Sequence, residues 1–277
     1  MKTKNASTLQ LFNIALALGL CLLVILEVRG LNLLPGEKLY TAIHTKDVVI
    51  GLTIYLKTAV DFAILIGILM KNYEGRRHSQ MIMAGTAIGN AAGTIAILAL
   101  WYFFKEITWL LAIMIVLASL VLLKLAETSL EHIDPNDPDE KISPVIIKTK
   151  NAIEFVLKPI NHVLKPVLGK IVPDLSVNTA KKLTITGLFF MSLKIPFILG
   201  LDDFAGYVPL FNIVNVLGFG IGVIVGHAIL CGLLFASPKH TIRAVKNPII
   251  SIVGSIAFVG LATWGTIEAI KLLTGHH

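Results

Sequence analysis

Gly200-Leu-Asp-Asp-Phe-Ala-Gly-Tyr-Val-Pro-Leu-Phe211 places two adjacent carboxylates, Asp202 and Asp203, at the end of an apolar run. A carboxylate at membrane depth costs about 2.5–3.5 kcal/mol on insertion scales, so it persists only beside a partner, a water-filled cavity or a bound cation. The stretch has an earlier echo, Lys57-Thr58-Ala59-Val60-Asp61-Phe62, which again sets an aspartate inside a long apolar block. Whether these acids lie in a membrane decides the fold.

Composition answers that they do. The 277 residues are 55% hydrophobic and 15% charged, with a mean hydropathy of +0.81, far more apolar than a soluble domain. Apolar blocks near the 20 residues a spanning helix needs recur along the chain. The roughly ten-residue alternation of a membrane β-barrel is missing from the pattern. The expected class is an all-α polytopic membrane protein. Its net charge of +7 fits cytoplasmic loops facing anionic lipid better than nucleic-acid binding. The two cysteines, Cys21 and Cys231, both fall inside apolar blocks and suggest no disulfide framework.

Outward from the aspartates, the hydropathy predicts seven spans, over about 9–28, 48–70, 80–104, 107–126, 182–201, 208–236 and 249–273. The first lacks a small-residue cleavage site and reads as a retained helix. Lys57 and Asp61 share one face of the second span. Between the fourth and fifth spans lies a long polar insertion. It opens with acids through Asp134-Pro-Asn-Asp-Pro-Asp-Glu140, then alternates aliphatic residues with lysines over 144–174. The second part reads as a basic amphipathic helix on the anionic inner leaflet, or else as a solvated linker. Lys and Arg gather at the N-terminus, at 71–77, in the insertion and at 239–246, which predicts a cytoplasmic N-terminus and an outside C-terminus.

Gly85, Gly89 and Gly93 of the third span recur 133 residues later as Gly218, Gly222 and Gly226 of the sixth. The preceding spans match too, Lys57 with Lys194 and Asp61 with Asp202. Pro196 and Gly200 interrupt the second copy, which predicts a kink or unwinding there. Three spans per copy would put the copies in opposite orientation, the inverted repeat of many secondary transporters. The expected organisation is a helix and loop over 1–46, a first repeat over 47–126, the insertion over 127–180 and a second repeat over 181–277.

Asp61, Asp202 and Asp203 supply hard oxygen ligands, to which Thr58, Asn90 and Asn215 could add neutral oxygens. Such a set suits Mn²⁺, Mg²⁺, Ca²⁺ or a proton-coupled cation site. His227 and Cys231, four apart, would add softer donors suited to Zn²⁺ or Cd²⁺, or else simply pack. Lys57 and Lys194 oppose a bound cation. They read either as structural ion-pair partners of the aspartates or as gating groups that exchange partners when a cation arrives.

Gly200 to Asp203 followed by Tyr207-Val-Pro-Leu-Phe211 resembles the CadD-type cadmium resistance transporters of the LysE-type exporter superfamily. That family carries Gly-Gly-Asp-Asn followed by Tyr-x-Pro-Leu-Phe. Its first-repeat Thr-x-Ile-Asp-Asp is similar to Thr58-Ala-Val-Asp61-Phe62, and its Gly-x-x-x-Gly pattern to Gly85–Gly89. The likeness covers the six repeat spans. Phe62 stands where the family has an acid and Asp203 where it has an amide, so the metal preference does not carry over directly. Manganese exporters and TerC-like proteins of the same superfamily also use intramembrane aspartates in both halves. The resemblance implies a secondary transporter exporting a divalent cation from a bacterial or archaeal plasma membrane, with no enzymatic activity and no resident cofactor. Its partners would be the transported metal and membrane lipid but no nucleic acid, and a homo-oligomer is compatible with it. The alternatives are a membrane scaffold or assembly factor that docks through the insertion, and a thiol–disulfide electron carrier using Cys21 and Cys231.

Overall fold

Apolar length sets out the helices, and glycine decides how they meet. In a computed structural model, the structure describes residues 2–131, 133, 142–171, 183–194, 196, 210–211, 214–245 and 247–274. Regular structure there is helical, with no strand among the described residues. In chain order the helices are α1 (Lys2–Leu31), α2 (Thr45–Thr58), α3 (Val60–Asn72), α4 (Arg76–Phe104) and α5 (Thr108–Glu131). After them come α6 (Pro144–Ile171), α7 (Ile185–Lys194), α8 (Val216–Ala236), α9 (Pro238–Val245) and α10 (Pro248–Thr274).

Among the described residues, α1, α4, α5, α8 and α10 are long and apolar enough to cross a bilayer; α2 and α3, bent by 66° to one another, form a broken span, which would be the sixth, or a re-entrant loop. The chain is an all-α polytopic membrane protein. The expected second span, 48–70, is met as two helices rather than one continuous helix. At the break the Thr58 hydroxyl donates to the carbonyls of Tyr55 (3.1 Å) and Ile54 (3.2 Å), and a side chain competing inside the ladder bends a helix. The expected fifth span is represented by the short apolar helix α7, and the sixth begins at Val216 rather than near 208. Asn215 explains that start. Its Oδ1 accepts from the Leu217 and Gly218 amides at 2.9 and 3.4 Å, an N-cap. Asn247 caps α10 in the same way ahead of Pro248, which suits a first helical position.

The glycine stripes lie in two tight seams. On α8, a Cβ at Gly222 would fall 2.2 Å from the Val48 carbonyl oxygen, and one at Gly218 2.9 Å from the Asp47 Cβ. Gly51 of α2 answers with 2.2 Å to the Phe219 carbonyl. On α4, a Cβ at Gly89 would fall 2.2 Å from the Leu193 carbonyl of α7, and one at Gly85 2.5 Å from that of Phe189. Only glycine permits such backbone approach. Contacts advance in step along each seam, so α2 runs parallel to α8, and α4 parallel to α7. Thr86 of α4 meets Cys231 while Thr94 lies beside Gly220, so α4 and α8 are antiparallel. α5 lies along α10, and α1 packs on α4 and α8.

α6 folds back along the last turns of α5. Lys150 donates to the Ile133 carbonyl at 2.7 Å, and Asn161 to Glu127 and to the Leu123 carbonyl at 2.9 and 3.2 Å. Leu157 is buried with Leu122, Ala126, Phe258 and Ala262, while Val145, Phe155 and Val163 remain exposed. α9 packs on α3 and α8 at this same end of the bundle.

Candidate functional site

The break after α2 adjoins a buried polar cluster built by three helices. The buried face of α2 carries Asp47, Gly51 and Tyr55 at one-turn intervals against α8. The Tyr55 hydroxyl meets His227 Nδ1 at 2.7 Å, and the other ring nitrogen, Nε2, meets Cys231 Sγ at 3.4 Å. Cys231 Sγ lies 3.9 Å from the hydroxyl of Thr86 on α4, which itself donates to the Met83 carbonyl. Tyr55, Thr86, His227 and Cys231 are all shut away from solvent. The Phe62 ring, in the first turn of α3, lies 5.4 Å from the His227 ring and closes one side of the imidazole.

This geometry determines what the cluster can do. A neutral imidazole offers one N–H donor and one acceptor. Two arrangements satisfy it: Tyr55 donating to Nδ1 while Nε2–H points at sulfur, or Nδ1–H donating to the Tyr55 oxygen while the thiol donates to Nε2. Either way both nitrogens are occupied, and a cation could use His227 only by displacing Tyr55 or Cys231. Among the described residues no three of His, Cys, Asp and Glu lie together as a metal set.

The expected site residues divide clearly. Asp202 and Asp203 lie outside the described residues. The backbone of Asp61 is in the first turn of α3, immediately before Phe62, and its side chain lies outside what the structure describes. Thr58 stands at the break with its hydroxyl proton turned to its own helix. Asn90 lies one turn beyond Thr86 on the same α4 face, 4% exposed, and its amide nitrogen has no hydrogen-bond partner among the described residues. A buried bare donor is costly, about 1–3 kcal/mol, and so marks a place where a ligand or water would be favoured. Asn215, in contrast, is an N-cap at the far end of α8, and its Nδ2 donates to the Ala42 carbonyl. It is not part of this cluster. Lys57 reaches away along α10 and donates to the Ile250 carbonyl, its stem filling the space a Cβ at Gly254 would need. Lys194 is exposed at the end of α7. The two cysteines are free.

Two acids and two neighbours of the cluster carry only a weak signal in the sequence. Tyr55 and Thr86 could have been found from spacing, one turn from Gly51 and one turn from Asn90. Asp47, 1% exposed, and Glu27 of α1 have both carboxylate oxygens buried without a partner among the described residues. Asp47 stands one turn before Gly51 on the same face, a signal hidden by its position beside a polar loop.

Comparison of the chain with protein-family models, with curated proteins and with solved structures finds no match.

Proposed function

We propose that this membrane protein is a secondary transporter that exports a cation, on chemical grounds a divalent metal, through a site at the interface of two inverted repeats. The observation that carries the reading is the α2–α3 break beside the Tyr55–His227–Cys231–Thr86 cluster. Interrupted helices and buried polar groups near the middle of a bundle are how such transporters form substrate sites. The packing supports the repeat. Each glycine stripe seats on the first helix of the other half, α8 on α2 and α4 on α7, while α4 and α8 run in opposite senses. Asp61 and Asp202 would be the matched hard ligands, with Asp203, Thr58 and Asn90 beside them and His227 as a softer donor once released from Tyr55. Lys57, held at the Ile250 carbonyl, would be the group that moves toward or away from the acids as charge arrives. A cytoplasmic N-terminus would put α6 and α9 on the inner side, next to anionic lipid.

Flux of Mn²⁺, Cd²⁺, Zn²⁺, Co²⁺ and Ca²⁺ in vesicles containing the purified protein, with and without a pH gradient, tests this. Flux of one of these metals that disappears in Asp202→Asn and in Asp61→Asn is expected. No flux for any of them would overturn the metal reading.

A further inference from the structure

α6 and α10 converge on a groove of about 530 Å³, to which the α2–α3 break contributes no residue. Leu157 forms its floor, buried with Leu122, Ala126, Phe258 and Ala262. Ile153 and Val156 of α6 make one wall, and Ile256 and Val259 of α10 the other. Val156 and Ile256 are 58% and 54% exposed, so the walls open outward. Polarity enters at one end only, with Thr149 and the exposed Lys148. The Thr149 hydroxyl donates to the Val145 carbonyl at 2.9 Å, which leaves the lysine as the charged group of the lining. From Thr149 to Val156 is about 10 Å along the helix axis, room for part of one extended chain.

The packing of α6 orients the groove. Lys150 meets the carbonyl of Ile133, beyond the end of α5, whereas Leu157 packs on Leu122 and Ala126 within α5. The lysine end therefore lies level with the end of α5, and the apolar end lies further along it. α5 and α10 are both long and apolar enough to cross a bilayer. The groove also continues into exposed apolar surface, Ile249 and Val253 on α10 and Phe155 and Val163 on α6, the kind of surface a membrane span presents to acyl chains. Charge completes the match. Lys150 and Lys158 both pair with Glu154, and Lys148 has no ion pair among the described residues. A cation at one end of an apolar groove is complementary to an anionic headgroup carrying an apolar chain.

We propose that this groove holds an acyl chain of an anionic phospholipid, with the lipid phosphate at Lys148. The site shares no residue with the proposed cation site and does not depend on that reading. Native mass spectrometry of the detergent-purified full chain, titrated with phosphatidylglycerol and phosphatidylcholine of identical acyl chains, tests it. Phosphatidylglycerol is expected to bind about fivefold more tightly, the scale of one lysine beside anionic lipid. Lys148→Gln should bring the two lipids level. Val156→Trp and Ile256→Trp fill the groove from opposite walls at exposed positions. Each should weaken binding of both lipids about tenfold, the scale of two methylene groups left unburied. Leu18→Trp, on the exposed face of α1, should leave both unchanged. Equal binding of the two lipids to the unaltered protein overturns the proposal; that is the result expected if the acids of 134–140, outside the described residues, neutralise Lys148. An undiminished preference in Lys148→Gln overturns it too, as does lipid binding that survives both wall variants or falls equally in Leu18→Trp. A change of oligomeric mass in the wall variants with lipid binding intact would give the groove to a second copy of the chain and overturn the lipid assignment. Should one wall variant fail to fold, the other decides. Because no transport is read, a failure here leaves the cation proposal standing, and the reverse.

Discussion

The two glycine seams solve the same packing problem in different chemical company. Gly222 on α8 and Gly89 on α4 would each place a Cβ 2.2 Å from a carbonyl oxygen of the facing helix, Val48 and Leu193 respectively. Yet the α2–α8 seam runs into Tyr55 and His227 just over a turn beyond Gly222, with Cys231 a further turn on, whereas the α4–α7 seam, among the described residues, runs from Phe189 past Leu193 to Pro196. Close approach belongs to the stripe, and chemistry belongs to what the partner helix brings to it. Among the described residues, the internal similarity marks surfaces that meet.

Replacing the stripes should have the largest effect and tests whether the seams are equivalent. Gly222→Val and Gly89→Val each drive side-chain atoms into backbone, and overpacking costs about 1–3 kcal/mol. Both are expected to lower the melting temperature of the purified protein by similar amounts. A loss in one seam alone would break the comparison.

The next effect sharpens the chemical contrast. His227→Ala removes the ring that both the Tyr55 hydroxyl and the Cys231 thiol meet, and a loss of about 1–3 kcal/mol is expected. Tyr55→Phe should cost less, since the ring keeps its packing. A double-mutant cycle between the two should return a coupling of about 1 kcal/mol, and zero coupling would mean the 2.7 Å contact contributes nothing to stability.

A smaller change is expected at Gly254, where the obstacle is a flexible lysine stem rather than backbone. Gly254→Leu should dislodge Lys57 from the Ile250 carbonyl at a cost of about 1 kcal/mol. The same substitution made in Lys57→Ala should then cost little, a difference read directly from the two melting curves.

The smallest effect is the control. Gly260 of α10 has nothing within 4 Å of a built Cβ. Gly260→Ala is expected to be neutral or to stabilise by up to about 1 kcal/mol through helix propensity. A clear destabilisation there would show that glycine matters in these helices for reasons other than close approach.

How much was legible follows from how far each signal reaches along the chain. Hydropathy found α1, α4, α5 and α10 close to their limits, because burying backbone polar groups in lipid forces a helix wherever about 20 apolar residues run together. The glycine period marked the contact faces of α4 and α8. The break after Thr58 was missed because neither Pro nor Gly marks it. A hydroxyl hydrogen bond to the preceding turn and a lysine drawn to α10 are features of geometry, not of composition. His227 was named as a donor, but its two partners come from positions 172 residues before it and 4 after it, and only the second was visible as spacing. Asn215 has the right chemistry for a ligand and the wrong place, since its position just before an apolar block makes it a cap.

By itself, then, the sequence determined that the chain is an all-helical membrane protein with small-residue faces and ionisable groups inside apolar blocks, because those properties are local sums over neighbouring residues. The tertiary structure alone decided that α8 seats on α2 and α4 on α7, that Tyr55 and Cys231 share one imidazole, and that Asp47 is buried. These depend on which faces meet across long separations, and packing between helices, unlike hydropathy within them, is not additive along the chain.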